Sequence, residues 1–134
     1  MNKILKIGIS QGDTNGVGWE IILKILADSR IVELCTPVVY GSPVAASYYQ
    51  KRLNAEEYDA VTFNVVESAE DAEDGRMNLV QCGAKELSIT PGKPSKAGGE
   101  AAAVALLRAI EDLKSGVIDA LVTAPIDKEM IQSE

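Results

Sequence analysis

Three glycine-bearing segments gather the hydroxyl, carboxylate and ammonium groups best spaced for chemistry. The first is Gly12-Asp13-Thr14-Asn15-Gly16-Val17-Gly18, which follows a short apolar run and precedes a helical pattern. Glycines at such a turn let backbone amides approach a ligand, and the helix amino terminus beyond them favours an anion. The spacing is neither GxGxxG nor a Walker loop, because no Gly-Lys-Ser/Thr follows. A phosphate or cofactor loop fits it, and so does a plain tight turn. The second segment is Thr90-Pro91-Gly92-Lys93-Pro94-Ser95-Lys96-Ala97-Gly98-Gly99-Glu100. Lys93, Ser95 and Lys96 precede a helix start, so a phosphate or carboxylate would meet ammonium groups and a helix dipole together. A solvated loop ahead of a capped helix fits equally. The third segment, Val122-Thr123-Ala124-Pro125-Ile126-Asp127-Lys128, ends a strand and opens a turn. Lys128 there suits anion binding, or proton donation if its pKa is lowered; an ordinary surface Asp127–Lys128 pair is the alternative.

What is missing narrows the chemistry further. Histidine is absent from all 134 residues, which excludes Ser-His-Asp and Cys-His nucleophiles and any histidine metal site within the chain. Cys35 and Cys82 show no CxxC spacing and are expected as buried free thiols. The acidic stretch from Glu67 to Gly75 reads as a solvated connection; a divalent-cation site is the alternative, disfavoured because the carboxylates lack a fixed ligand spacing such as that of an EF-hand loop. With 13 basic and 20 acidic residues the net charge is −7, a balance that disfavours nucleic acid and anionic lipid as partners. No apolar run approaches the roughly 18–20 residues needed to span a bilayer, and no signal-peptide pattern opens the chain, so the expected location is cytoplasmic.

Strands and helices alternate in a way that would bring the three segments to one edge. Ile4 to Ile9 reads as a buried strand, and Trp19, Ile22, Leu23 and Leu26 recur at helical spacing after the first glycine segment. Trp19 is expected in the core. Pro37–Gly41 reads as a second strand, and Ser42-Pro43 opens a helix to about Leu53. Val61–Val66 and Asn78–Cys82 follow as strands, with residues 88–99 expected as a loop without regular structure. A helix then presents Ala103, Leu106, Leu107, Ile110 and Leu113 inward, with Gly116 closing it. Val117–Thr123 is the last strand. Near-continuous apolar strands joined by helices predict an α/β fold of three layers, helices on both faces of a mostly parallel sheet. Ligands of such folds bind at the carboxyl ends of the strands, where all three segments fall. Pro125 to Glu134 reads as a helix that starts and has no cap, so residues 1–134 are expected to be part of a longer protein.

Four stretches in order carry a resemblance: Ile7 to Glu20, Pro37 to Ser42, Pro91 to Gly99, and Val122 to Lys128. Together they resemble the N-terminal part of the 4-hydroxythreonine-4-phosphate dehydrogenase family of pyridoxal phosphate biosynthesis. The opening is also similar to the Gly-Asp-Gly-Ile-Gly-Pro-Glu segment of isocitrate and isopropylmalate dehydrogenases. The resemblance implies an isocitrate/isopropylmalate-dehydrogenase-like fold, of which this chain is an incomplete first domain in a two-domain homodimeric enzyme. It implies oxidation of a phosphorylated 4-hydroxythreonine by NAD or NADP, giving a 3-oxo acid that decarboxylates. A zinc, magnesium or cobalt ion would polarise the reacting oxygen, but the family's metal and substrate histidines lie beyond Glu134. No catalytic or metal residue is therefore carried over, and the fragment alone is expected to be inactive. Gly12, Asp13, Asn15, Gly16 and Gly18 match the family's first glycine loop and are expected on the cofactor side. Ser95, Gly98, Gly99, Thr123 and Lys128 match the other two segments and are expected to face substrate. Thr14 and Trp19 stand where the family usually has proline, which would change loop stiffness. A paralogue acting on 4-phosphorylated threonate or erythronate remains the nearest alternative, and a non-catalytic phosphate- or nucleotide-binding module the alternative of another class.

Overall fold

In the computed structural model, residues 4–28, 30–53, 61–83, 89, 91–92 and 95–124 are described. Five strands form one sheet: β1 (Lys6–Ser10), β2 (Thr36–Gly41), β3 (Phe63–Val66), β4 (Met77–Gln81) and β5 (Ala120–Thr123). Their order is β3-β4-β2-β1-β5, and every neighbouring pair is parallel. The helices are α1 (Gly18–Leu26), the short α2 (Ile31–Leu34), α3 (Pro43–Leu53) and α4 (Lys96–Lys114). The chain leaves β1 toward β2 on one side and returns to pair β5 on the other. The carboxyl ends of β1 and β5 therefore flank the point where strand order reverses, the usual ligand crevice of open parallel sheets.

Both faces of the sheet are covered, because the strands alternate apolar side chains to each. Ile9, Val39 and Leu79 pack against Trp19, Ile22, Leu23 and Leu26 of α1 and Ala45, Ala46 and Tyr49 of α3. On the opposite face Val38, Tyr40 and Val80 pack against Ala105 and Ala109 of α4, with Ile118 filling the remaining space. The α/β/α layering follows. Trp19 is core, as its pattern predicts, at 1% exposure.

Several boundaries differ from the sequence reading, each for a local reason. Residues 96–99 are helical, not loop: Ser95 caps α4, its Oγ accepting from Gly98 N at 3.0 Å, and the cap outweighs two poor helix formers. The inward face of α4 is also not the leucine face. Gly98, Gly99, Ala102, Ala105 and Ala109 are buried, whereas Leu107 is 62% exposed and Leu113 is also exposed. Small residues let the helix axis approach the sheet closely, and the larger apolar side chains are displaced to its flanks. The last strand begins at Ala120 and not at Val117, because the Val117 and Ile118 amides turn back to the Asp112 carbonyl. Asp119 is the first residue to meet β1, its N–H donating to the Lys6 carbonyl and its carboxylate accepting from Lys6 N, each at 2.8 Å. Likewise β3 begins at Phe63, two residues later than expected. Helix α2 has too few residues to show a period, and the acidic stretch carries a 3-10 turn at Ala69–Asp71 capped by Ser68. Gly116 does follow α4 with φ +79, the left-handed geometry expected of a closing glycine. The helix expected from Pro125 lies outside the described residues.

At the amino ends of the strands, the fully buried Asn78 anchors the acidic connection. Its Nδ2 donates toward the carbonyls of Pro37, Glu73 and Arg76, and its Oδ1 accepts from Glu73 N and Asn64 Nδ2. Asn78→Ala strands the buried Pro37 carbonyl and frees the part-buried main chain of Glu73 and Arg76. It is expected to cost about 2–3 kcal/mol in urea denaturation, against about 1 kcal/mol or less for Asn64→Ala at the half-buried edge. Cys82 is buried and its thiol is pushed up to about 11 by burial. At pH 8 it is therefore neutral, and native-state alkylation should modify the partly exposed Cys35 first and reach Cys82 only on unfolding.

Candidate functional site

The loop between β1 and α1 begins with Gln11, a fully buried amide. Its Oε1 accepts from Trp19 Nε1 at 3.0 Å and from Ser42 N at 3.1 Å, and its Nε2 donates to the Ala101 carbonyl at 3.3 Å. One side chain thus joins α1, the β2–α3 turn and the first turns of α4. Gly41 is required beside it, since a Cβ there would lie 2.8 Å from Gln11 Oε1 and 3.0 Å from Trp19 Cζ2. Sequence reading passed over Gln11; its one signal is a polar residue directly after an apolar strand and before glycine.

The next residues fold the loop onto the second segment. Asp13, 6% exposed, accepts from Asn15 N through Oδ1 at 2.8 Å, and its carbonyl accepts from Gly16 N at 2.9 Å. Asn15 Nδ2 donates to Ser95 Oγ at 2.8 Å, and the Asn15 carbonyl accepts from Gly92 N at 2.7 Å. Thr14 is buried, with its carbonyl accepting from the Tyr49 hydroxyl. So Asp13, Asn15, Gly16, Ser95 and Gly98 come together at the edge where the sequence places their segments, through contacts the sequence itself does not specify.

The third segment joins them through β5. Ser10 pairs in register with Thr123, and Ala124 N donates to the Ser10 carbonyl at 3.0 Å. A Cβ on Gly18 would lie 3.2 Å from both Ala124 Cβ and Gly12 N, so Gly18 is a close-packing position. Gly16 and Thr123 are exposed, Ser95 is half-buried, and Gly12, Asp13, Asn15, Gly18, Gly98 and Gly99 are buried. Lys128 lies outside the described residues. Two hydroxyls to which sequence gives no site role are fully buried here, and Ser10 Oγ and Thr14 Oγ1 find no hydrogen-bond partner among the described residues.

Elsewhere, a cleft of about 390 Å³ opens between α3 and β3, lined by Pro43, Ser47, Gln50, Lys51, Phe63 and Val65 among others. None of the glycine-segment residues reaches it, so it is separate from this rim.

The family model described as pyridoxal phosphate biosynthetic protein PdxA matches residues 33–134. The chain belongs to the PdxA family. Over 133 residues it is 47% identical to a 4-hydroxythreonine-4-phosphate dehydrogenase of Bacteroides thetaiotaomicron, covering 99% of this chain and 35% of that protein. An Oceanobacillus iheyensis protein with the provisional name D-threonate 4-phosphate dehydrogenase is 34% identical, over 98% of this chain and 40% of its own. Among solved structures, a 4-hydroxythreonine-4-phosphate dehydrogenase from Burkholderia phymatum superposes with a TM-score of 0.83 at 31% identity, covering 98% of this chain and 39% of that one. The chain therefore spans about two-fifths or less of the length of these relatives.

For a PdxA protein, a divalent metal and a nicotinamide are the implied groups. Among the described residues no three His, Cys, Asp or Glu side chains converge as a metal site, so the donors described do not fit a divalent metal. Among the described residues of this edge, Gly16 and Thr123 are exposed and Ser95 is half-buried. Their support depends on Gly98, where a Cβ would lie 2.3 Å from Asp13 Oδ1 and 3.1 Å from Ser95 Oγ. In an ordinary helix Gly→Ala stabilises by about 1 kcal/mol, but overpacking at this contact costs about 1–3 kcal/mol and displaces the carboxylate. Gly98→Ala is thus expected to lower the thermal midpoint, whereas Gly16→Ala, whose Cβ meets Asp13 O at 3.4 Å, leaves it nearly unchanged in the same scan.

Proposed function

We propose that the protein containing this chain oxidises 4-phosphohydroxy-L-threonine with NAD or NADP and a divalent metal, giving a 3-oxo acid that decarboxylates, in vitamin B6 biosynthesis. The observation that carries this reading is the 47% identity, over 99% of the chain, to a protein named for that substrate. Residues 1–134 supply an incomplete first α/β domain, and the metal and catalytic groups come from polypeptide outside them. Zinc, magnesium or cobalt would serve the metal role in the assembled enzyme, which acts as a cytoplasmic homodimer on a small phosphorylated hydroxy acid, with no nucleic-acid or membrane partner.

The nicotinamide, when bound, supplies the hydride acceptor. This chain's residues build the wall that orients it. Gly18 allows the β1–α1 turn to close tightly against Ala124 and the Gly12 backbone, which leaves the exposed Gly16 at the rim. Asp13 and Asn15 fix the turn from within. Ser95 and Thr123 face the crevice from α4 and β5 on the substrate side, with Gly98 and Gly99 giving α4 its close approach and Lys128 following β5 in sequence.

A second reading, oxidation of D-threonate 4-phosphate, is favoured by the 34% identical relative with that provisional name. Steady-state assays of the longer protein separate them. The expected result is a kcat/KM for 4-phosphohydroxy-L-threonine at least about ten-fold above that for D-threonate 4-phosphate, and no NAD(P)H formation by residues 1–134 alone. Preference for D-threonate 4-phosphate would replace the first reading with the second. Turnover by the 134-residue chain would refute its assignment as a non-catalytic half.

A further inference from the structure

The amino end of α4 looks, in sequence, like a place for a ligand's phosphate, and its geometry argues otherwise. The partial positive charge of a helix start attracts the nearest anion. Here that anion is built in. The Asp13 carboxylate sits against Gly98, so close that Oδ1 lies 2.3 Å from where a Cβ would be. Asp13 is 6% exposed. The Gly98 amide is already taken by Ser95 Oγ, and that hydroxyl in turn accepts from Asn15 Nδ2. The described lysine of this loop, Lys96, faces Glu100 at 4.0 Å.

We propose that Asp13 is a positioning residue that serves as the resident anion of α4 and keeps phosphate away from its amino end, while Asn15 ties Ser95 to the same loop. The consequence is a specificity rule for the crevice: a phosphorylated ligand approaching this half of the protein must place its phosphate away from the Ser95–Gly99 turn. Ser95 then meets neutral, hydrogen-bonding parts of the ligand. The inference stands on the contact between the two loops and does not depend on which hydroxy acid is oxidised.

The test is an NMR titration of the ¹⁵N-labelled 134-residue chain with inorganic phosphate at constant ionic strength. In the wild type, the amides of Ser95 to Gly99 should not shift saturably. Asp13→Asn removes the charge and keeps the shape, and should bind phosphate there at least roughly ten-fold more tightly than wild type, as expected for relief of one like charge at a helix end. Asp13→Ser, which retains an oxygen for the Asn15 amide, should show the same gain and provides the measurement if the asparagine variant does not fold. Asn15→Ala frees Ser95 but leaves the carboxylate, so phosphate should stay excluded. Saturable binding at these amides in the wild type overturns the proposal. So does a failure of both Asp13 variants to bind, or a gain in Asn15→Ala equal to that in Asp13→Asn.

Discussion

The amide of Gln11 is the interaction on which the carboxyl edge of the sheet depends. A buried primary amide with three protein partners is favourable only when all of them are present, because each orphaned group would carry its own desolvation cost. Gln11 meets that condition by drawing Trp19, Ser42 and Ala101 to one point. Those residues belong to the helix layer on one face, the turn after β2, and the helix layer on the other. The three layers are thereby held in register where the ligand crevice opens, and the glycine loop that starts at Gly12 inherits a fixed origin.

From that origin the rim is built by contacts among main-chain atoms and short side chains. Glycine serves two different purposes in it. Gly18, Gly41 and Gly98 make room for neighbouring protein atoms, while Gly16 lies open at the surface. A glycine-rich loop in a sequence therefore does not by itself announce a ligand; several of these glycines are there because Ala124, Trp19 or Asp13 occupies the space a methyl group would need. Trp19 brings an indole N–H to Gln11, which a proline at that position could not supply, whereas the Thr14 group that accepts from the Tyr49 hydroxyl is a main-chain carbonyl that any residue would provide.

Much of this was legible beforehand. Alternating apolar strands and amphipathic helices determine the layering, and Gly-rich turns at strand ends place the rim. The inward face of α4 was misread because periodicity weighs large apolar residues more than small ones. Alanines at 102, 105 and 109 bury fully because they are small, and Leu107 is exposed for the opposite reason. The union of Asp13 and Asn15 with Ser95 was not readable, since it joins residues some eighty positions apart through polar contacts that leave no periodic trace. Asp119, likewise, is tied to Lys6 by two long-range bonds just ahead of β5, a pairing that leaves no periodic trace.

That long-range pairing also sets an order of events. β1 lies between β2, whose register begins at Thr36, and β5, whose register begins at Ala120. Its second ladder cannot form until more than a hundred further residues have been made, on the order of ten seconds at cellular rates of synthesis. Until then Ser10 has no neighbour in β5 and Gly18 has no Ala124 to pack against. Contacts of such sequence separation form late because chain closure must precede them. The crevice encoded in the first twenty residues is thus among the last parts of the chain to become rigid.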